Sequence, residues 1–205
     1  NRGSWLDFEY DAKDLLYFRI DRKKKLSITT LLYAIGYNRK EILETFYDFK
    51  VFDFEKSKNT WETSFNPEDY KRPIKLKNDL VDANNNKKIL KKGSKINLVI
   101  AKKLSEQGLK NISFDSSYFL GKYVKKDLID PSSSTVFLKS GSLIDQDNID
   151  TILKNNINKL EIANIDPINK GPYIIDTLNI DKNNSKEEAI NDIYKVLRPG
   201  EPPSF

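Results

Sequence analysis

Histidine, cysteine and methionine are all missing from this 205-residue sequence. Without cysteine there is no disulfide, thiol nucleophile or thiolate metal ligand; without histidine there is no imidazole base or zinc ligand. Long apolar runs are missing too. No stretch approaches the roughly 18 apolar residues of a membrane span, and no charged, apolar, small-residue leader opens the chain. What survives is carboxylate, hydroxyl or lysine chemistry, carboxylate metal sites, or binding without catalysis, in a soluble and cytoplasmic protein. A start at Asn1 in a chain without methionine reads as an internal piece of a longer protein.

Hydrophobic residues make up 38% and charged residues 32%, and Trp5, Trp61, ten tyrosines and eleven phenylalanines supply aromatic bulk for a folded core. The net charge of +5 tilts the chain mildly toward anionic partners. Abundant lysine, asparagine and isoleucine also fit a nucleotide bias, which discounts the count.

Residues 5–10, WLDFEY, and 16–20, LYFRI, alternate apolar and polar around DAKD, which predicts a hairpin. A basic cluster at 22–25 and an apolar run from Leu26 to Ile35 follow, with Ser27 or Thr29 as cap and Gly36 as stop of a helix. Ile42, Leu43 and Phe46 predict a second helix over Arg39–Phe46. Near residue 48 the period changes to two. Val51, Phe52, Phe54, Trp61 and Phe65 flank KSKN as strands.

Beyond that point the sequence repeats itself. Residues 77–96 lie on 125–144 at a constant shift of 48, with nine of twenty positions identical, among them Asp79, Leu80, Asp82, Leu90 and Gly93 on Asp127, Leu128, Asp130, Leu138 and Gly141. Each copy, about 75–115 and 123–163, reads as strand, polar turn, strand, glycine turn, helix and short strand. Ser94 or Asn97 caps the first helix and Asp145 the second. Two such copies pack as paired modules rather than as a solenoid. Last, Ser185 and Glu188 form a capping box for a helix over 185–197 whose stripe is Ala189, Ile190, Ile193, Tyr194 and Leu197. The expected fold class is α+β: a discontinuous helical domain with a β-hairpin, 1–47 and 171–205, interrupted by an insertion at 48–170.

The head, RGSWLDFEYDAKDLLYFRIDRKKKLSITTLLYAIGY, and the tail, GPYIIDTLNID followed by IYKVLRPGEPP, resemble the lobe of the bacterial RNA polymerase beta subunit. The middle resembles the lineage-specific insertion found there in some bacteria. The resemblance implies a non-catalytic piece of a nucleotidyltransferase, one jaw beside downstream DNA and the unwound strand. It implies no cofactor in this segment, with Mg²⁺ held by carboxylates of the beta prime subunit. The other partners it implies are the alpha and omega subunits and a sigma factor. Trp5 matches a tryptophan that stacks on a non-template base; Asp21 and Arg22 match polar and basic positions on the same strand's path. Lys23 and Lys24 stand where many relatives carry arginine, keeping charge but losing the bidentate fork. RPGEPP reads as an internal turn.

Duller readings stand beside these. A tryptophan in an alternating strand is commonly core, and a basic run is commonly a solvated face. Asp79, Asp82, Asp127 and Asp130 recur as a metal site would, but DLVD is too poor in oxygens for calcium, and turn formation explains them. KKGSK and KSGSL lack the phosphate-loop pattern. A standalone protein-binding adaptor and a carboxylate-dependent hydrolase are the alternatives from other classes.

Overall fold

The computed structural model describes residues 3–166 and 170–201. It is an α+β structure of two compact units. In chain order its strands and helices are β1 (Leu6–Tyr10), β2 (Leu16–Ile20), β3 (Leu26–Ser27), α1 (Ile28–Ala34), α2 (Arg39–Phe46), β4 (Phe49–Glu55), β5 (Thr60–Ser64), β6 (Ile74–Lys75), β7 (Leu80–Asp82), β8 (Lys88–Leu90) and β9 (Lys95–Ile96). There follow α3 (Leu98–Glu106), β10 (Asn111–Phe114), β11 (Leu128–Ile129), β12 (Val136–Leu138), α4 (Gln146–Lys154), β13 (Lys159–Ala163), α5 (Tyr173–Ile180) and α6 (Lys186–Leu197).

The first unit takes residues up to Asp48, the short turn Ser140–Ser142, and the chain from Ala163 onward. Its sheet has the order β1-β2-β3. Asp11 makes the first reversal: its carboxylate accepts the Lys13 and Leu15 backbone N–H groups at 2.8 and 3.0 Å, and these bonds, Leu15 first, hold the carboxyl below its ordinary range. The third strand was not expected. Leu26 and Ser27 open the apolar run assigned to helix, but they pair with Phe18 and Tyr17, and Ser27 has extended backbone.

Helix α1 packs on α5 and α6. Ser27 sits at its N-cap but makes no side-chain cap bond, and the Thr29 hydroxyl turns instead to Asp181. Asp181 also accepts the Thr30 hydroxyl at 3.0 Å and the Asn183 N–H at 2.9 Å, while Asn183 donates to Thr30 and to Asp192. With Thr29 and Thr30 fully buried, this network satisfies hydroxyls that would otherwise be stranded. Tyr47 does similar work further along. Its buried hydroxyl donates to the Gly171 carbonyl and accepts the Ile175 N–H.

Two expectations for this unit are corrected. Helix α5 was missed: Ile174, Ile175, Thr177 and Ile180 are β-branched, and Gly171 and Pro172 precede them, so local preference favours strand or turn. At α6 the capping box is only half made. Ser185 accepts the Glu188 N–H, but the Glu188 carboxylate takes the N–H of Asn184. Ala189 is fully buried, whereas Ile190 of the expected stripe is 40% exposed. The expected turn at RPGEPP falls partly on Pro202 and Pro203, outside the described residues.

The second unit holds residues 49–139 and 143–162 around a six-stranded sheet of order β13-β4-β5-β10-β7-β8. Its segments at shift 48 adopt the same local geometry. β7 pairs β8 at Leu80↔Leu90 with an irregularity after Leu80; β11 pairs β12 at Leu128↔Leu138 with one after Leu128. Asn86 and Ser134 both have positive φ, and so do Gly93 and Gly141. Asp82 accepts the Asn84 N–H as Asp130 accepts that of Ser132, so these recurrent carboxylates make turns. Asn97 caps α3 and Asp145 caps α4. One difference is that β11 and β12 stand as a separate two-stranded sheet.

Each segment feeds its own core. Leu80, Ile96 and Ile112 pack with Phe65, Tyr70 and Leu109; the equivalent Leu128, Ile144 and Leu160 pack with Phe52, Trp61 and Phe119. Tyr70, 7% exposed and tilted against Phe65 with ring centres 5.5 Å apart, has its phenol pushed up to about 12, first by burial and then by the charge of Asp69. The folded state therefore keeps a proton that the unfolded chain, titrating near 10, gives up. Between pH 10 and 12 this tyrosine costs the fold up to about 1.4 kcal/mol per pH unit. Urea unfolding across that range should show a steeper loss in the native protein than in Tyr70→Phe.

Candidate nucleic-acid interface

The sheet of the first unit carries the expected site residues at one end. Leu6 pairs with Ile20, so Trp5 lies opposite Asp21, just past the strand ends. The two are bonded both ways: the Asp21 carboxylate accepts the Trp5 N–H at 2.8 Å, and the Asp21 N–H donates to the Trp5 carbonyl at 2.9 Å. The indole is left 76% exposed, the most open aromatic side chain among the described residues. Asp21 thereby holds the Trp5 backbone beside the ring.

The turn after β2 is conformationally unusual. Asp21 and Arg22 both adopt left-handed backbone, φ 51° and 59°, and the Lys23 N–H closes the turn on the Ile20 carbonyl at 3.1 Å. Hairpins favour such turns because their twist matches the strands, yet they ordinarily recruit asparagine and glycine. Arginine there costs on the order of 1 kcal/mol.

The basic run divides in its contacts. Arg22 and Lys24 are exposed and make no hydrogen bond or ion pair among the described residues. The Lys23 ammonium donates to the Leu197 carbonyl at 2.9 Å, closing the C-terminal end of α6 where a cation is favoured. Lys25 lies 4.4 Å from the Tyr17 ring centre. The structure thus brings Trp5, Asp21, Arg22 and Lys24 to one end of the sheet, ties Asp21 to the Trp5 backbone and Lys23 to the Leu197 carbonyl, and leaves Arg22 and Lys24 without a hydrogen bond or ion pair among the described residues.

Sequence reasoning missed Arg19. It pairs with Glu9 across the hairpin at 2.8 Å and also donates to the Lys23 carbonyl at 3.0 Å, bracing the loop that carries Arg22 to Lys24. Opposite charges on facing strands were the available signal. A stretch of apolar side chains runs along β1 as well: Leu6, Phe8 and Tyr10 are 44%, 57% and 59% exposed. Tyr10 is edged against Tyr173 at 5.4 Å.

A family model described as RNA polymerase Rpb2, domain 2 matches residues 1–104. Among curated proteins, the DNA-directed RNA polymerase subunit beta of Ehrlichia ruminantium (strain Gardel) is 44% identical over 204 residues, covering 100% of this chain and 14% of that protein. The subunit of the same name from Caulobacter vibrioides (strain NA1000 / CB15N) is 40% identical over 203 residues, 99% of this chain and 15% of its own length. That of Rickettsia conorii is 45% identical over 201 residues, 98% and 14%. The chain therefore spans about one seventh of these relatives.

Proposed function

The chain belongs to the RNA polymerase Rpb2 domain 2 family, and on that premise we propose that its first unit is the lobe of a DNA-directed RNA polymerase beta subunit. In this reading the lobe helps enclose downstream DNA and touches the non-template strand of the transcription bubble. Trp5 stacks on a base of that strand. Arg22 and Lys24, with Lys23 nearby, draw its phosphates. Asp21 and Arg19 hold the ring and the loop in place. The chemistry of RNA synthesis takes place elsewhere, with Mg²⁺ held by beta prime; the alpha and omega subunits and a sigma factor complete the enzyme in the cytoplasm. The second unit is an insertion built from two copies of one module, a view supported by the shared register, turns and caps at shift 48.

The observation that carries the DNA reading is an indole left open to solvent on a backbone fixed by reciprocal bonds to Asp21, beside two cations unpaired among the described residues. Stacking a base on an aromatic ring contributes about 1–3 kcal/mol, and unpaired cations add a salt-dependent attraction to phosphate. In the assembled polymerase, Trp5→Ala should shorten the lifetime of the open promoter complex by about 5- to 150-fold, the factor corresponding to that energy. Asp21→Ala should move it the same way through loss of positioning. An unchanged lifetime in Trp5→Ala overturns the assignment.

A further inference from the structure

The two copies in the second unit share a backbone pattern but not a charge. Residues 75–115 hold ten lysines against four acidic residues, a net +6; residues 123–163 hold five lysines against six, a net −1. The whole chain is +5, so the first copy accounts for its entire excess. A general bias toward lysine acts on both copies alike and does not explain the contrast. Nor does the fold demand it, because the second copy makes the same turns without it.

The lysines are placed where they repel. On the ladder between β6 and β9, Lys75 stands directly opposite Lys95, so the two side chains share a face. The equivalent residues in the second copy, Tyr123 and Leu143, form the matching bridge with no charge at all. Like charges facing across strands destabilise a sheet. Lys77 follows on the same side two residues after Lys75, about 7 Å along an extended chain. Lys75, Lys77 and Lys95 are exposed and make no ion pair among the described residues.

A cleft of about 270 Å³ lies beside this ladder, lined by Lys77, Asn78, Lys92 and Tyr118 together with Asp79 and Asp115. Both carboxylates are engaged by their own surroundings. Asp79 accepts the Lys92 N–H at 2.7 Å and pairs with Lys88 at 3.0 Å, and Asp115 is taken by the Ser117 N–H and hydroxyl. Lys122 reaches over the Tyr118 ring at 4.1 Å, and burial, with Lys77 nearby, holds its ammonium below the ordinary range. Cations converge here without a matching number of free anions.

We propose that this lysine ladder, Lys75, Lys77, Lys92 and Lys95, binds the phosphate backbone of DNA. The ladder itself carries four ammonium groups and no guanidinium, which suits an evenly charged backbone better than a specific carboxylate. The apolar and aromatic residues of this region, Val81, Phe114 and Tyr118, line the cleft, while the four groups of the ladder itself are all charged, where a protein partner would be expected to find an apolar centre. The family supplies only the choice of assay; the ladder does not depend on the role given to Trp5.

The test transplants the second copy's residues: Lys75→Tyr, Lys92→Ser and Lys95→Leu together, in the assembled polymerase carrying the full beta subunit. Binding to linear promoter duplex is measured from low to moderate KCl. Removing three phosphate contacts should flatten the slope of log K against log salt by about two to three, and Trp5→Ala should leave that difference intact. A second variant, Lys75→Gln with Lys95→Gln, removes charge without adding apolar surface and should flatten it by about two. A photo-crosslinker at the exposed Ile74 should label DNA. Unchanged slopes in both variants, or crosslinks to polypeptide alone, overturn the proposal; the latter would mark an acidic protein segment as the occupant.

Discussion

Trp61→Ala lowers the stability of the second unit by about 3–5 kcal/mol. The indole is fully buried, with Phe54 at 4.9 Å and Phe119 at 5.1 Å between ring centres, the latter edge-on. Its N–H donates to the Ser116 hydroxyl at 3.0 Å. Alanine removes the largest side chain of a core that includes Phe52, Val124, Ile144 and Leu160, and the neighbouring rings, Phe54 on β4 and Phe119 on the 3-10 turn Ser116–Phe119, are held by separate backbone elements that do not collapse together into the gap. The cavity cost is added to the lost transfer energy, and Ser116 loses a partner. Urea unfolding of the chain should show the midpoint of this unit falling by roughly 2 M, taking a slope near 2 kcal/mol per molar. Trp61→Phe, which refills most of the space, should lose much less. A shift under about 0.5 M for alanine would mean the core is not organised around this residue.

Asp181→Ala is the second large effect, in the first unit. One carboxylate accepts the hydroxyls of Thr29 and Thr30 and the N–H of Asn183. Both threonines are buried, so water does not replace the lost acceptor without opening the helices around them. Leaving buried hydroxyls unsatisfied costs about 1–3 kcal/mol each before relaxation, and a total loss of about 2–4 kcal/mol is expected. For a body of this size the melting temperature should drop by about 10 °C or more. Asp181→Asn keeps one acceptor oxygen and should lose roughly half as much. Equal melting of native and alanine proteins would show the network contributes nothing.

How far the sequence could be read depended on whether local pattern and tertiary demand agreed. They agree at the hairpin, at α2 and in the local turns and caps of the segments at shift 48, where asparagine and aspartate caps, glycine turns and alternating residues all specify the same geometry. Asn38 closes a full capping box with Glu41, and α2 ends where its last apolar residue predicts. They disagree at α5. There a β-branched run becomes helix because Ile175 and Leu178 are buried and Tyr47 ties down the first turn, contacts made more than a hundred residues away in sequence. At α1 the hydroxyl of Ser27, at the N-cap, makes no cap bond, and that of Thr29, the other candidate, lies within the helix and serves Asp181, which no local window reveals.

The site was partly legible for the same reason. Trp5 and the basic run are visible as residue types, and the openness of Trp5 follows from its place beyond the strand pair. That Lys23 would be diverted to the Leu197 carbonyl is a long-range fact, set by where α6 ends. That Asp21 and Arg22 would take left-handed backbone was equally hidden, since the sequence offers neither asparagine nor glycine to announce it.

The first unit is made from two stretches of chain separated by the second. A ribosome adding about 5–20 residues per second releases the head, then takes on the order of ten seconds to supply α5 and α6. During that interval Tyr33, Ile42 and Leu43, buried in the finished protein, lack the tail they pack with. The second unit is synthesised in full sooner, although its sheet sets β13 beside β4 and β10 beside β5 across long stretches of chain, and once folded it shortens the effective tether between the two halves. Synthesis order therefore sets a schedule: the second unit is released whole before the first, which waits for α5 and α6 to emerge.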